Sequence, residues 1–147
     1  VVCDCSDELK KLKLYDNTII ILWGDNGYLL GEHGMWTKHC YFELSLRVPL
    51  MIKAPGHKGG SRTNALVELV DIYPSLCELA GLSLPDHLEG TSFVPLMKDP
   101  NRKWKTVVFS RYYNKWKYLG VNSYYNGRSI KTDRYRFTIT TMIHTRT

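Results

Sequence analysis

The chain has 147 residues, 44% of them hydrophobic, 12% aromatic and 23% charged, a makeup that excludes the disordered and collagen-like classes. At roughly 100 to 200 residues per domain, this length holds one domain or a piece of a larger one. Twenty Lys and Arg against fourteen Asp and Glu leave a net charge of +6, which suits an anionic partner or an ordinary solvated surface, and the longest uninterrupted apolar run, Ile19 to Trp23, is too short to span a bilayer.

No charged segment leading into an apolar stretch follows Val1, so any export signal is expected upstream or missing. Cys3, Cys5, Cys40 and Cys77 are few and unevenly spaced, and they leave the redox compartment open. Ser6 reads as the cap of a short helix, with Asp7 and Glu8 in its first turn and Lys10, Lys11 and Lys13 later, an order that matches the helix dipole. Asp16 and Asn17 supply a turn. Thr18 to Trp23 then reads as a strand buried on both faces, because its apolar run does not alternate. Helix, turn and buried strand are half of a βαβ unit, which predicts an α/β protein with a mainly parallel sheet. In such sheets ligands gather at the carboxyl ends of the strands.

A long glycine-punctuated loop follows from Gly24 to about Lys38, and a loop of that length is often functional. Val48 to Lys53 is a second short strand, closed by the Pro55-Gly56 turn and an exposed polar stretch. Asp71 is expected to cap a helix that carries Pro74 in its first turn and stops at Gly81. After Pro85 come a short apolar turn at Phe93 to Met97, a basic stretch, and a strand from Thr106 to Arg111. The residues after that strand form a basic aromatic loop, and a hairpin with one wet face is expected across Thr132-Asp133-Arg134. Residues 1–100 are read as the α/β part, and 101–147 as the start of an antiparallel C-terminal subdomain.

The chemistry concentrates in Gly24-Asp-Asn-Gly-Tyr-Leu-Leu-Gly-Glu-His-Gly-Met-Trp-Thr-Lys38. Asp25 and Asn26 place two hard oxygen donors at the end of a strand, a donor pair suited to Ca²⁺ or Mg²⁺ and also compatible with a plain turn. His33 and His39 lie close by in the chain, and Arg47 is positioned to pair with Glu43. Arg111 and Trp116 belong to the basic aromatic stretch, which suits an anionic partner or serves as an exposed loop with aromatic anchors.

Several ordered motifs carry a resemblance. They are Asp16-Asn-Thr-Ile-Ile, Gly24-Asp-Asn-Gly27, Gly31-Glu-His-Gly34, Trp36-x-Lys38, Arg47-Val-Pro-Leu50, Ala54-Pro-Gly56, Val67 to Pro74 and Leu79-Ala-Gly81. In order and spacing this chain resembles the sulfatase family of the alkaline-phosphatase-like superfamily, and Gly127 to Thr138 is similar to the C-terminal sheet of the iduronate-2-sulfatase branch. At Asn26 iduronate-type members usually carry His, whereas arylsulfatases commonly carry Asn.

The resemblance implies sulfate ester hydrolysis, on a sulfated sugar or in glycosaminoglycan degradation. It places Asp25 and Asn26 on a pair of calcium ligands and Lys38 on the lysine that holds the sulfate group. His33 is then a candidate proton donor in catalysis, and His39, Arg111 and Trp116 join Lys38 as candidate substrate contacts. The family's nucleophile is a formylglycine made from the Cys or Ser of a Cys/Ser-x-Pro-x-Arg motif, and no such motif occurs among these residues. It is expected upstream, with the rest of the calcium site, in a missing N-terminal part of the same protein, so this fragment alone is expected to be inactive. A periplasmic, secreted or lysosomal setting is implied, with neither nucleic acid nor a membrane span as partner. The competing functions are a phosphonate or phosphate ester hydrolase of the same superfamily and a non-catalytic anion-binding module.

Overall fold

The computed structural model describes residues 2–118 and 121–146, and the side chains of 4–113 and 124–143. The elements in chain order are α1 (Val2–Lys11), β1 (Ile20–Trp23), α2 (Glu43–Leu46), β2 (Leu50–Lys53), α3 (Ile72–Leu79), α4 (Val94–Lys98), β3 (Val108–Tyr118), β4 (Val121–Lys131) and β5 (Arg136–Arg146), with single 3₁₀ turns at Tyr15–Asn17, Glu32–Gly34 and Leu69–Asp71. The fold is α/β with antiparallel strands, and it divides into two compact units that do not follow chain order. One unit comprises 1–24, 49–65 and 69–103, and the other comprises 25–48, 66–68 and 104–147.

In the first unit α1 begins at Val2, so Ser6 lies inside the helix and does not cap it. Lys10 pairs with Asp7 and Lys11 with Glu8, each at 3.2 Å on exposed surface, contacts that contribute only a few tenths of a kcal/mol. The helix ends where Lys13 turns left-handed, at φ 57°, and the Leu14 amide donates back to the Leu9 carbonyl at 2.9 Å. Strand β1 pairs with β2 antiparallel, with Ile20 opposite Lys53 and Trp23 opposite Leu50. The parallel arrangement expected from half a βαβ unit therefore does not hold for this pair. A parallel neighbour needs a crossover back to the starting end of the first strand, whereas here the chain re-enters β2 beside the end of β1. With β2 as its partner, β1 is half-buried at Ile20 and Ile21 and exposed at Leu22 and Trp23, not covered on both faces.

Asp71 occupies the N-cap position of α3, but its carboxylate does not cap that helix. Asp71 Oδ1 instead accepts the Thr91 amide at 2.7 Å. Ser75 Oγ donates to the Asp71 carbonyl at 2.6 Å and accepts the Phe93 amide at 2.9 Å, so one buried hydroxyl ties α3 to the start of α4. Ile72, Cys77, Phe93, Val94 and Leu96 form the buried apolar core around these bonds. At the far end of α3, Gly81 adopts φ 69° and the Leu82 amide reaches the Cys77 carbonyl at 2.9 Å, the glycine stop expected from the sequence.

In the second unit β3, β4 and β5 form an antiparallel meander, with Ser110, Ser129 and Thr138 in one register row and Tyr112, Gly127 and Thr140 two rows on, on the same face. Because strand side chains alternate between faces, Phe109, Arg111 and Tyr113 share one face with Phe137 and Ile139, and that face is exposed. Tyr112, Tyr125, Ser129, Lys131, Arg136 and Thr138 share the other. The expected hairpin turn closes over 132–135, where the Thr132 amide donates to the Tyr135 carbonyl at 2.8 Å. The basic aromatic segment after Arg111 is not a loop. It continues β3 as far as Tyr118.

Candidate functional site

The segment 25–48 belongs wholly to the second unit. Asp25 is exposed and Asn26 half-buried, and Asp25 Oδ1 accepts the Asn26 amide at 2.9 Å in a tight turn. The Gly27 amide then donates to the Ser45 carbonyl at 2.8 Å. A Cβ at Gly27 would strike the Leu44 carbonyl, so this close approach of two backbones requires glycine.

Two backbone bonds close the glycine loop, Leu29 amide to Thr37 carbonyl at 2.9 Å and Gly31 amide to Met35 carbonyl at 3.0 Å. At its tip His33 is left-handed, with φ 56°, and its ring stacks on Phe42 at 3.8 Å with 9° between the planes. Glu32 accepts the Leu30 amide at 2.7 Å, and its pKa is held below the usual carboxylate value by the backbone amides of Glu32 and Leu30. Lys38 follows, with an exposed side chain and a carbonyl that accepts from both the Ser45 hydroxyl and the Cys40 amide.

After Lys38 the chain lies on the polar face of the meander. Tyr41 is 8% exposed, and its hydroxyl bridges one residue of β3, accepting the Tyr112 amide at 2.7 Å and donating to the Tyr112 carbonyl at 3.2 Å. Burial raises the Tyr41 phenol above its ordinary pKa. Glu43 is the hub of an ion triad, 3.2 Å from Lys131 and 3.0 Å from Arg136, and Arg136 also donates to Ser129 Oγ at 3.1 Å. Burial alone would raise the Glu43 pKa. The hydrogen bonds from Arg136 and Lys131 outweigh it and hold the carboxyl below its ordinary value. Glu43 thus pairs with β4 and β5, not with Arg47 as the sequence suggested.

Between this segment and the sheet opens a cleft of about 1010 Å³. One wall is aromatic, with His39 tilted over Tyr112 at 5.4 Å and Tyr112 against Tyr125 at 5.8 Å. Lys131, Arg134 and Arg136 also line the cleft, with Glu43 paired to the first and last of them, as do the stacked His33 and Phe42.

Of the residues singled out in the sequence, the structure sets His33 and His39 on the cleft, while Lys38, Asp25 and Asn26 do not line it; Ser45 joins the backbone of Lys38 to that of Gly27, the residue after Asn26. Arg111 is not a cleft residue. It lies on the opposite face of the sheet, where its Nε donates to Asn126 Oδ1 at 3.3 Å. The Trp116 side chain lies outside the described residues. Tyr112, Tyr125, Lys131, Arg134 and Arg136 were not anticipated, and the alternation of 129 and 131 with 136 and 138 across the hairpin was the signal that could have found Lys131 and Arg136. Among the described residues, no three His, Cys, Asp or Glu side chains group as a metal site.

Comparison with known proteins places this fold in a class, proteins with the sulfatase type of α/β fold. The family described as N-sulphoglucosamine sulphohydrolase, C-terminal, matches residues 31–144, and the chain belongs to that family. A sulfatase of Formosa agariphila is 36% identical over 131 residues, which cover 89% of this chain and 24% of that protein. Arylsulfatase K of Homo sapiens is 41% identical over 91 residues, 62% of this chain and 17% of its own length. A solved structure described as being in complex with its substrate D-glucosamine-2-N,6-O-disulfate has a TM-score of 0.78 at 26% identity, over 99% of this chain and 31% of that one. The chain spans about a quarter or less of the curated relatives it matches.

Proposed function

We propose that this chain forms part of a sulfuric ester hydrolase that acts on a sulfated sugar or glycosaminoglycan. The observation that carries the reading is the exposed Lys38 immediately before His39, which lines the basic aromatic cleft. The family assignment and the relatives named as sulfatases support the reaction, and the doubly sulfated glucosamine held by the neighbouring structure supports a sugar. In this reading the Lys38 ammonium binds the sulfate oxygens and offsets the charge that builds on them during S–O cleavage. His33, its ring fixed against Phe42, delivers a proton to the leaving oxygen. His39, Tyr112 and Tyr125 receive the sugar ring, and Arg134 faces its anionic substituents.

Asp25 and Asn26 suit Ca²⁺ or Mg²⁺ in donor type, but two oxygens are too few for a cation that takes six or more. Other residues of the protein would complete the site, together with a formylglycine nucleophile. Bound there, the ion would polarise the sulfate group. Within the family, Gly127 to Thr138 favours the iduronate-2-sulfatase branch, while Asn26 and the arylsulfatase K relatives favour an arylsulfatase. A periplasmic, secreted or lysosomal setting belongs to the same proposal. The test is sulfate release by the full-length protein from an aryl sulfate and from 6-sulfated glucosamine, with phosphate and phosphonate monoesters in parallel. Hydrolysis of the sulfates supports the reading. Turnover of phosphonates alone, or of none of these by calcium-loaded protein, overturns it.

A further inference from the structure

Resting on that reading, we propose that Ser45 is a positioning residue for sulfate ester cleavage, one that sets the backbone of Lys38 and ties it to the turn carrying Asp25 and Asn26. Ser45 is 1% exposed and lies in the single turn of α2, seven residues after Lys38 in the chain. Its hydroxyl donates to the Lys38 carbonyl. Its own carbonyl accepts the Gly27 amide at 2.8 Å, and its amide donates to the Phe42 carbonyl at 3.0 Å. One buried residue therefore holds both parts of the site through opposite ends of its peptide and side chain.

Lys38 is a long side chain with an exposed head, so its direction depends on where its backbone is fixed. On the N-terminal side, Thr37 is anchored by the Leu29 amide at 2.9 Å. At Lys38 itself the carbonyl has two donors, the Ser45 hydroxyl and the Cys40 amide. The Cys40 bond is local, formed two residues along the same turn, and cannot fix that turn against the rest of the unit. The Ser45 bond does so, and an apolar residue of similar size at 45 would leave the Lys38 carbonyl held only by the local Cys40 amide. The Gly27 contact is independent of the hydroxyl, because it uses the Ser45 carbonyl. Replacing the hydroxyl should therefore affect Lys38 and spare the Asp25-Asn26 turn.

The experiment uses the full-length enzyme and a double-mutant cycle between Ser45→Ala and Lys38→Ala, followed by steady-state kinetics on an aryl sulfate and by calcium content. Loss of a positioning contact of this kind costs on the order of tenfold to a hundredfold in kcat. We expect Ser45→Ala to lose that factor with calcium content unchanged, and to lose nothing further in the Lys38→Ala background, since its effect runs through Lys38. If removal of the hydroxyl prevents folding, Ser45→Cys keeps the volume and supplies only a weak donor, and the same loss is expected from it.

Wild-type kcat in the Ser45 variants, with Lys38→Ala impaired, overturns the inference and leaves the proposed function standing. An equal loss in both backgrounds also overturns it, because Ser45 then acts on the fold and not through the lysine. Wild-type activity in Lys38→Ala overturns it as well, because it removes the lysine itself from the reaction.

Discussion

Lys38 and Glu43 lie five residues apart and show opposite uses of a charge. Lys38 keeps its ammonium in solvent while its backbone is held, so it adds little to stability and is available to an anion. In the full-length enzyme Lys38→Ala is expected to preserve the fold and lower kcat by roughly 10²- to 10³-fold, the usual cost of a lost preorganised electrostatic contact. Lys38→Arg should restore only part of it, because a planar fork places its donors differently from a compact ammonium. Wild-type kinetics on an aryl sulfate in both variants would rule out this role. Glu43, by contrast, has its charge consumed by Lys131 and Arg136. Its carboxyl lies below the ordinary value of 4.5 in the folded chain, so its stabilising effect is complete above that value and fades as pH falls through the lowered one. The difference in melting temperature between wild type and Glu43→Gln should be present at pH 7 and vanish in strong acid. A gap that stays constant down to the most acidic pH at which the protein folds would show that the ion triad does not titrate as described.

Strand β4 matters to the cleft because one of its residues is small. A Cβ at Gly127 would run into the Tyr41 ring, and Tyr41 lies on the meander with its hydroxyl on both backbone groups of Tyr112. Gly127→Ala should push Tyr41 off the sheet and cost about 1 to 3 kcal/mol, the range for overpacking a filled site. It should also raise KM for a sulfated sugar, because His39 and Cys40 move with Tyr41. Thermal melts and Michaelis kinetics on the full-length protein check both parts, and an unchanged melting temperature would mean that the contact relaxes freely. The hairpin that presents Lys131 and Arg136 was legible in the sequence, since turn residues and strict alternation bracket it. The extent of β3 was not. Residues 112–118 mix polar and aromatic side chains without a clear period, and only pairing with β4 shows that they continue the strand.

On the scale of the whole chain, the candidate metal ligands are incomplete and one face of the meander exposes large apolar side chains beside Arg111. Phe109, Phe137 and Ile139 are each at least 60% exposed on that face, and contiguous exposed apolar surface of this kind drives association. Residues 1–147 expressed alone are expected to self-associate and to bind calcium weakly. Sedimentation velocity and calorimetry test this, and a monomer with tight, specific calcium binding would contradict both parts. The sequence by itself determined the α/β class, the glycine loop, the stop at Gly81 and the C-terminal hairpin. Each of these depends on neighbours in the chain, whether through turn chemistry, side-chain alternation or the order of short motifs. Tertiary structure alone decided that β1 and β2 run antiparallel, that Arg111 faces away from the cleft, and that Glu43 joins strands β4 and β5. It also decided that Ser45 joins the backbones of Gly27 and Lys38. Those outcomes depend on strand register and on contacts between residues far apart in the chain, such as Glu43 with Arg136 and Tyr41 with Gly127, and a pattern read along the sequence carries no information about which distant partner a buried polar group will find.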